Sequence, residues 1–191
     1  MTSIRHSVLF ALPFLFVLAP ALRADSAAAV PAVGAPAPEF TLTSNEGKPT
    51  SLKAFQGQWV VLYFYPKDFT GGCTLEAHNF QRDLAKYEQA HAVILGVSVD
   101  TAESHKSFCA KEGLSFKLLS DPQAQVSTQY GSIMEFGGHK LSARNTFIVD
   151  PQSRNSSAST RTSTARRCSP RWTACKSTDR SGENRFFAMR E

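Results

Sequence analysis

The 191-residue sequence contains no C-x-x-C. Its four cysteines, Cys73, Cys109, Cys168 and Cys175, are widely spaced, and the histidines do not cluster around them. That excludes the usual zinc-ligand spacings and the paired-cysteine motif of dithiol redox sites. Beyond one stretch near the N-terminus, no apolar run approaches the ~20 residues that a membrane-spanning helix needs. No unit recurs along the chain, which excludes solenoids and propellers. Basic charge is missing where a nucleic-acid surface would need it. Residues 153–191 hold 9 Lys+Arg against 3 Asp+Glu, so the first 152 residues keep only 12 of the 21 basic and 13 of the 16 acidic groups. A body so close to neutral has no electrostatic support for binding nucleic acid.

What is present divides into four parts. Residues 1–24 read as a secretory signal peptide. Arg5 and His6 precede an uncharged run from Val8 to Leu22, broken by Pro13 and Pro20, and small residues follow. Cleavage is expected after Ala24 or a few residues later, which predicts an exported, extracytoplasmic protein without a stable membrane anchor. Residues 25–32 are a linker that continues into the Pro/Ala-rich PAVGAPAP. Residues 33–152 carry the patterned domain. Residues 153–191, rich in Ser, Thr and Arg, show no sustained apolar period and read as a disordered tail. Cys168 and Cys175, seven apart in that tail, read as stray thiols or a tail disulfide.

Within the domain, EFTLTSNEGKPTSL predicts an N-terminal hairpin turning at Asn45–Lys48. WVVLYFY (Trp59–Tyr65) and AVILGVSVD (Ala92–Asp100) are dense enough in apolar residues to be strands buried on both faces. Between them Cys73, Ala77, Phe80, Leu84 and Tyr87 step by 4, 3, 4 and 3, one face of a helix with Cys73 in its first turn. TAESHKSFCAKEG predicts a second helix, capped by Thr101 and stopped by Gly113. FKLLSDP is a strand leading into a turn, QAQVSTQYG a short helix and RNTFIVD a further strand. This alternation means an α/β fold with a mainly parallel sheet.

Cys73 is placed for chemistry. A thiolate, not a thiol, is the nucleophile, and a helix N-terminus offers free N–H groups and positive dipole character to hold one. Thr70 can reach back with its hydroxyl, and Gly71 and Gly72 let the backbone pass close to the reacting atoms. The local stretch lacks a committed cation. Lys67 is a candidate, and Arg144 is a second if a parallel neighbouring strand brings it to the same end of the sheet. The scattered histidines, His105 included, read as surface or structural, and Phe64, Phe69, Phe80, Phe108 and Phe136 as core and pocket wall.

Pro66-x-x-x-Thr70-x-x-Cys73 resembles the active-site pattern of the peroxiredoxins, and LYFYPKDFTGGCTLEA, LGVSVD, HKSFCAKEGLSFKLLSDP and RNTFIVD resemble its peroxiredoxin Q (bacterioferritin comigratory protein) branch. The resemblance runs from about Val33 to Gln152. It implies a thioredoxin-like fold and reduction of H2O2 and organic hydroperoxides by thiols, without metal, haem or other cofactor. It also implies roles. Cys73 is the peroxidatic cysteine, Thr70 orients the peroxide and bonds the sulfur, and Pro66 shields the pocket. Arg144 stabilises the thiolate, Glu76 holds Arg144, and the N–H groups of Gly72 and Cys73 complete the pocket. The position five residues after Cys73, a second cysteine in some members, is His78 here. Cys109, in the FCAKEG helix, resembles the resolving cysteine of one subgroup and is the expected resolving residue, with an external thiol as the other route. The implied partners are a hydroperoxide and a thioredoxin-like or other thiol reductant, and the chain is expected to be a monomer or weak dimer.

Two departures stand out. Many relatives have proline where this chain has Gly71. Relatives also continue past the VDP turn into a hairpin strand and a long helix, neither of which is expected after Gln152. The break reads as a shift of reading frame. The competing functions are a thiol–disulfide oxidoreductase on the same fold and a non-enzymatic, basic-tailed binding protein.

Overall fold

The structure is a computed structural model, and it describes residues 30–160 together with the paired dipeptides Ser177–Thr178 and Asn184–Arg185. The expected signal peptide, its cleavage site and the tail cysteines lie outside the described residues.

The predicted elements form at the predicted places. β1 (Thr41–Ser44) and β2 (Pro49–Ser51) make the N-terminal hairpin, with Gly47 in the left-handed region at its turn. β3 (Trp59–Phe64), α1 (Gly71–Gln89), β4 (Ala92–Ser98), α2 (Ala102–Glu112) and β5 (Lys117–Ser120) then alternate. α3 (Gln125–Gln129), β6 (Ile133–Phe136), β7 (His139–Ser142), β8 (Asn145–Val149) and β9 (Asn155–Thr160) complete the domain. The sheet order is β2-β1-β5-β4-β3-β8-β9. Its centre, β5-β4-β3, is parallel, while β1, β8 and their outer partners run antiparallel to their neighbours.

β3 shows why the centre holds. Its side chains alternate between two cores. Val61, Tyr63 and, just past the strand, Tyr65 point into the layer with Ala77, Phe80 and Phe108, and Val60, Leu62 and Phe64 into the layer with Leu52, Tyr130 and Phe147. Burial on both faces is what makes the strand read as an unbroken apolar run. α1 closes the first layer with Cys73, Ala77, Phe80 and Tyr87 fully buried and Leu84 packed beside them. Burying each of the large side chains contributes on the order of 1.5–3 kcal/mol. Gly96 in β4 is glycine for want of room. A Cβ there would lie 2.6–2.7 Å from Leu118 and from the ring of Tyr63.

α2 is delimited as its sequence predicts. The Thr101 hydroxyl accepts from the Ser104 N–H, and Gly113 leaves the helix at φ 65°.

Four details differ from the sequence reading. β8 joins β3 antiparallel, with Tyr63 opposite Thr146 and Val60 opposite Val149. A parallel neighbour would have set Arg144 at the wrong end of the sheet, because the start of β8 reaches the end of β3 only when the two strands oppose. The patterned domain also extends past Gln152. β9 pairs along the whole of β8, and NSSAST escapes a periodicity reading because it adds to the sheet through its backbone. The Pro/Ala segment is tied down as well. The Gly34 N–H donates to the Asn155 carbonyl, Asn155 N–H to the Ala35 carbonyl, and Pro36 bridges Arg154. Finally, the β6–β7 hairpin turns through Gly137 and Gly138, both at positive φ, and was not foreseen.

Candidate active site

The C-terminal end of β3 delivers the chain into the site. The Tyr65 N–H still donates to Val97, half-buried Pro66 ends the pairing, and Phe69 turns the loop in the left-handed region at φ 58°. Thr70 is the extended N-cap of α1 (φ −92°, ψ 139°), and its carbonyl accepts from the Thr74 N–H. Its hydroxyl donates to the Lys67 carbonyl at 2.9 Å rather than to the sulfur. Cys73 is the third residue of the helix and 1 % exposed. The N–H groups of the first turn, those of Gly72 and Cys73 among them, have no carbonyl partner within the helix and face the same end as the sulfur.

The missing cation is Arg144. Its Nη2 donates to Cys73 Sγ at 3.0 Å, and its Nη1 donates to Glu76 Oε2 at 2.6 Å. One rigid guanidinium fork thus spans the Cys73 sulfur and a carboxylate one turn further along α1. Burial pushes the Glu76 carboxyl above its usual range, against the opposing pull of Arg144. Lys67, the other candidate, is exposed. Gly72 has a specific reason to be glycine: a Cβ there would stand 2.9 Å from Arg144 Nη2. Gly71 has none, since its Cβ direction is open.

That openness carries a prediction. Gly71 is the first helical residue, where proline is favoured because the N–H it lacks is unpaired anyway, and Thr70 already holds the extended conformation required before proline. Gly71→Pro is expected to raise stability by about 0.4–1 kcal/mol through the unfolded chain. Urea titration should show a higher midpoint at an unchanged slope.

Cys109, on α2, is a free thiol 7 % exposed in the same core layer as Cys73, which is also free. Burial, with the negative charge of Asp68 as a second cause, pushes its thiol up to about 11. The sequence reading missed what surrounds it. Asp68 is 3 % exposed and His105 is fully buried, and they face each other at 2.9 Å. Burial alone would raise the Asp68 carboxyl. The hydrogen bonds from His105, Ser104 and Tyr65 outweigh it and hold the group below its usual range. No local pattern marks this cluster, because its members, Tyr65 and Asp68 on one side and Ser104 and His105 on the other, come from two segments far apart in the chain. Of the five phenylalanines read as core and pocket wall, Phe64, Phe80 and Phe108 are buried, while Phe69 and Phe136 are 47 % and 71 % exposed.

The AhpC/TSA family pattern matches residues 33–154. The chain belongs to the AhpC/TSA family. It is 42% identical over 129 residues to chloroplastic peroxiredoxin Q of Sedum lineare, covering 68% of this chain and 69% of that one. It is 44% identical over 124 residues to a putative peroxiredoxin bcp of Coxiella burnetii, covering 63% and 82%. Among solved structures, a mutant of Xylella fastidiosa PrxQ superposes with a TM-score of 0.65 at 34% identity, covering 68% of this chain and 86% of that one. A Xanthomonas campestris bacterioferritin comigratory protein, described for its alkyl peroxide reduction activity, superposes at 0.61 with 35% identity over 66% and 85%. The peroxiredoxin Q resemblance and the thioredoxin-like fold are thus both shown, and membership makes the protein a thiol-dependent peroxidase of this family.

Proposed function

We propose that this peroxiredoxin reduces H2O2 and organic hydroperoxides at Cys73, and that Cys109 resolves the product. The observation that carries the reading is the Arg144 fork between Cys73 Sγ and Glu76. A fixed cation 3.0 Å from the attacking sulfur stands where charge develops on the leaving oxygen. The thiolate attacks one peroxide oxygen, the O–O bond breaks, and the other oxygen takes up a proton and leaves as water or alcohol. Cys73 becomes a sulfenic acid. The Cys109 sulfur then attacks the Cys73 sulfur, the S–O bond breaks and water leaves, forming a disulfide that an external thioredoxin-like dithiol reduces. Thr70 and Pro66 line the approach, and the free N–H groups of the first turn of α1 receive the peroxide. The working site is proposed to be extracytoplasmic, with the chain a monomer or weak dimer.

A second reading of the resolving step rests on the burial of Cys109 and its raised thiol. An external thiol attacks the sulfenic acid directly, and Cys109 is a core residue.

One experiment tests both. Reduced protein is mixed with one equivalent of H2O2, quenched at intervals and mapped by mass spectrometry. A transient Cys73 sulfenic acid that turns into a Cys73–Cys109 disulfide is expected. A sulfenic acid that persists until thiol is added selects the second reading. Oxidation of Cys73 no faster than that of an ordinary thiol overturns the peroxidatic assignment.

A further inference from the structure

Cys73 and Cys109 are both buried free thiols on different helices, so a disulfide between them draws on the segments that carry each. Those segments are tied together by one buried polar cluster. Asp68 lies five residues before Cys73 in the active-site loop, and His105 lies four residues before Cys109, one turn away on α2. Asp68 Oδ2 accepts from His105 Nδ1 at 2.9 Å and from Ser104 Oγ at 2.7 Å, and Oδ1 accepts from the Tyr65 hydroxyl at 2.7 Å. His105 Nε2 lies 3.2 Å from the Leu119 carbonyl, so both ring nitrogens face fixed oxygen atoms. The next turn of α2 adds an apolar contact: Phe108 meets the Phe69 ring edge-on at 5.1 Å, and Lys111 Nζ lies 5.4 Å over the same ring.

We propose that the Asp68–His105 pair, with Ser104, is the latch that holds α2 in place, and that its opening sets the rate at which Cys109 reaches the Cys73 sulfenic acid. The inference rests on the reading of Cys109 as the resolving residue. The latch ties the loop before Cys73 to the turn of α2 before Cys109, so it resists displacement of either segment. While it is closed, the sulfenic acid waits, exposed to a second peroxide that would carry it to sulfinic acid. Opening has a second consequence. Cys109, pushed up to about 11 where it stands, returns toward its ordinary value in water, which raises its thiolate fraction on the order of 100-fold. The latch thus divides each turnover between resolution and overoxidation without touching the groups that attack peroxide.

The test uses the full chain with His105→Leu, His105→Asn and Ser104→Ala, measuring three quantities by rapid quench and mass spectrometry. These are the rate of Cys73 thiol loss, the rate of Cys73–Cys109 disulfide formation, and the H2O2 concentration that leaves half the Cys73 as sulfinic acid. Removing a buried charge-assisted hydrogen bond should speed the disulfide step about tenfold or more in His105→Leu and several-fold in Ser104→Ala. The half-sulfinic concentration should rise in proportion, and thiol loss should stay within about twofold in Ser104→Ala. His105→Asn, which keeps a donor facing Asp68, should fall back toward the parent. A packing role predicts the reverse order, since leucine fills the buried site better than asparagine. If His105→Leu fails to fold, Ser104→Ala decides. A parent that forms the disulfide at the same rate as Ser104→Ala overturns the latch and leaves the resolving assignment standing. A parent that forms no Cys73–Cys109 disulfide overturns both.

Discussion

Arg144→Met is expected to slow the attack of Cys73 on H2O2 by about 10²–10³-fold, the usual loss when one preorganised donor is removed from a developing charge. Methionine keeps most of the length and volume of the side chain and removes only the fork. Both functions of the fork go together. Cys73 loses the donor at 3.0 Å, and Glu76 loses its partner at 2.6 Å. Arg144→Lys should fall between the two, because an ammonium keeps the charge but reaches only one of the two acceptors at a time. Stopped-flow measurement of thiol loss gives the rates.

The same variant should have a pH signature in stability. Burial already raises the Glu76 carboxyl in the folded state, and removing Arg144 raises it further. A carboxyl raised on folding binds its proton more tightly in the native state. Its contribution is therefore favourable below the unfolded value and is lost as pH rises through the folded one. Arg144→Met should thus lose stability relative to the parent as pH climbs from the ordinary carboxylate range toward neutrality, and Glu76→Gln in the same background should abolish that slope. Equal stability profiles for parent and Arg144→Met would show that the ion pair is not what keeps Glu76 ionised.

Gly72→Ala is expected to separate activity from stability. The added Cβ would meet Arg144 Nη2 at 2.9 Å and Cζ at 3.7 Å, and Nη2 is the atom that donates to Cys73. The end of an arginine side chain gives way more readily than backbone, so the guanidinium shifts and the fold stays. A displacement on the order of 1 Å at a reacting group costs up to 10²-fold in rate, and a tenfold loss or more is expected here. Alanine is also the better helix residue, so the unfolding midpoint should hold or rise. Gly71→Ala, whose Cβ would meet nothing within 4 Å, is the control and should leave the rate unchanged. Equal rates for the two alanine variants would show that the contact between residue 72 and Arg144 does not position the fork.

The chemistry was legible where it is written locally. Cys73 could be singled out because Cys73, Ala77, Phe80, Leu84 and Tyr87 mark one inner helical face with the sulfur in its first turn, behind the Pro66-x-x-x-Thr70-x-x-Cys73 pattern. Thr101 and Gly113 delimit α2 through contacts within a few residues of themselves. β3 could be read because burial on both faces leaves an unbroken apolar record. β9 could not, since a strand added through its backbone leaves no apolar period, and the boundary was set short of it at Gln152. The β6–β7 hairpin was missed for a related reason: its strands are only partly buried, and Met134 and Phe136 face solvent.

By itself, then, the sequence determined the order of elements from β1 to α3, with β8 after them, and the helix that carries Cys73 on its inner face, because propensity, capping and periodicity act over a few residues. Only the tertiary structure decided which cation stands beside Cys73 and which side chains tie its loop to α2. Arg144 reaches the sulfur from 71 residues away because β8 runs against β3, a choice of strand direction that no local pattern records. Asp68 and His105, 37 residues apart, meet because the loop after β3 and the start of α2 after β4 lie at the same C-terminal end of adjacent parallel strands. Long-range pairing is set by how the layers pack, and there a buried charge finds its partner or is not tolerated at all.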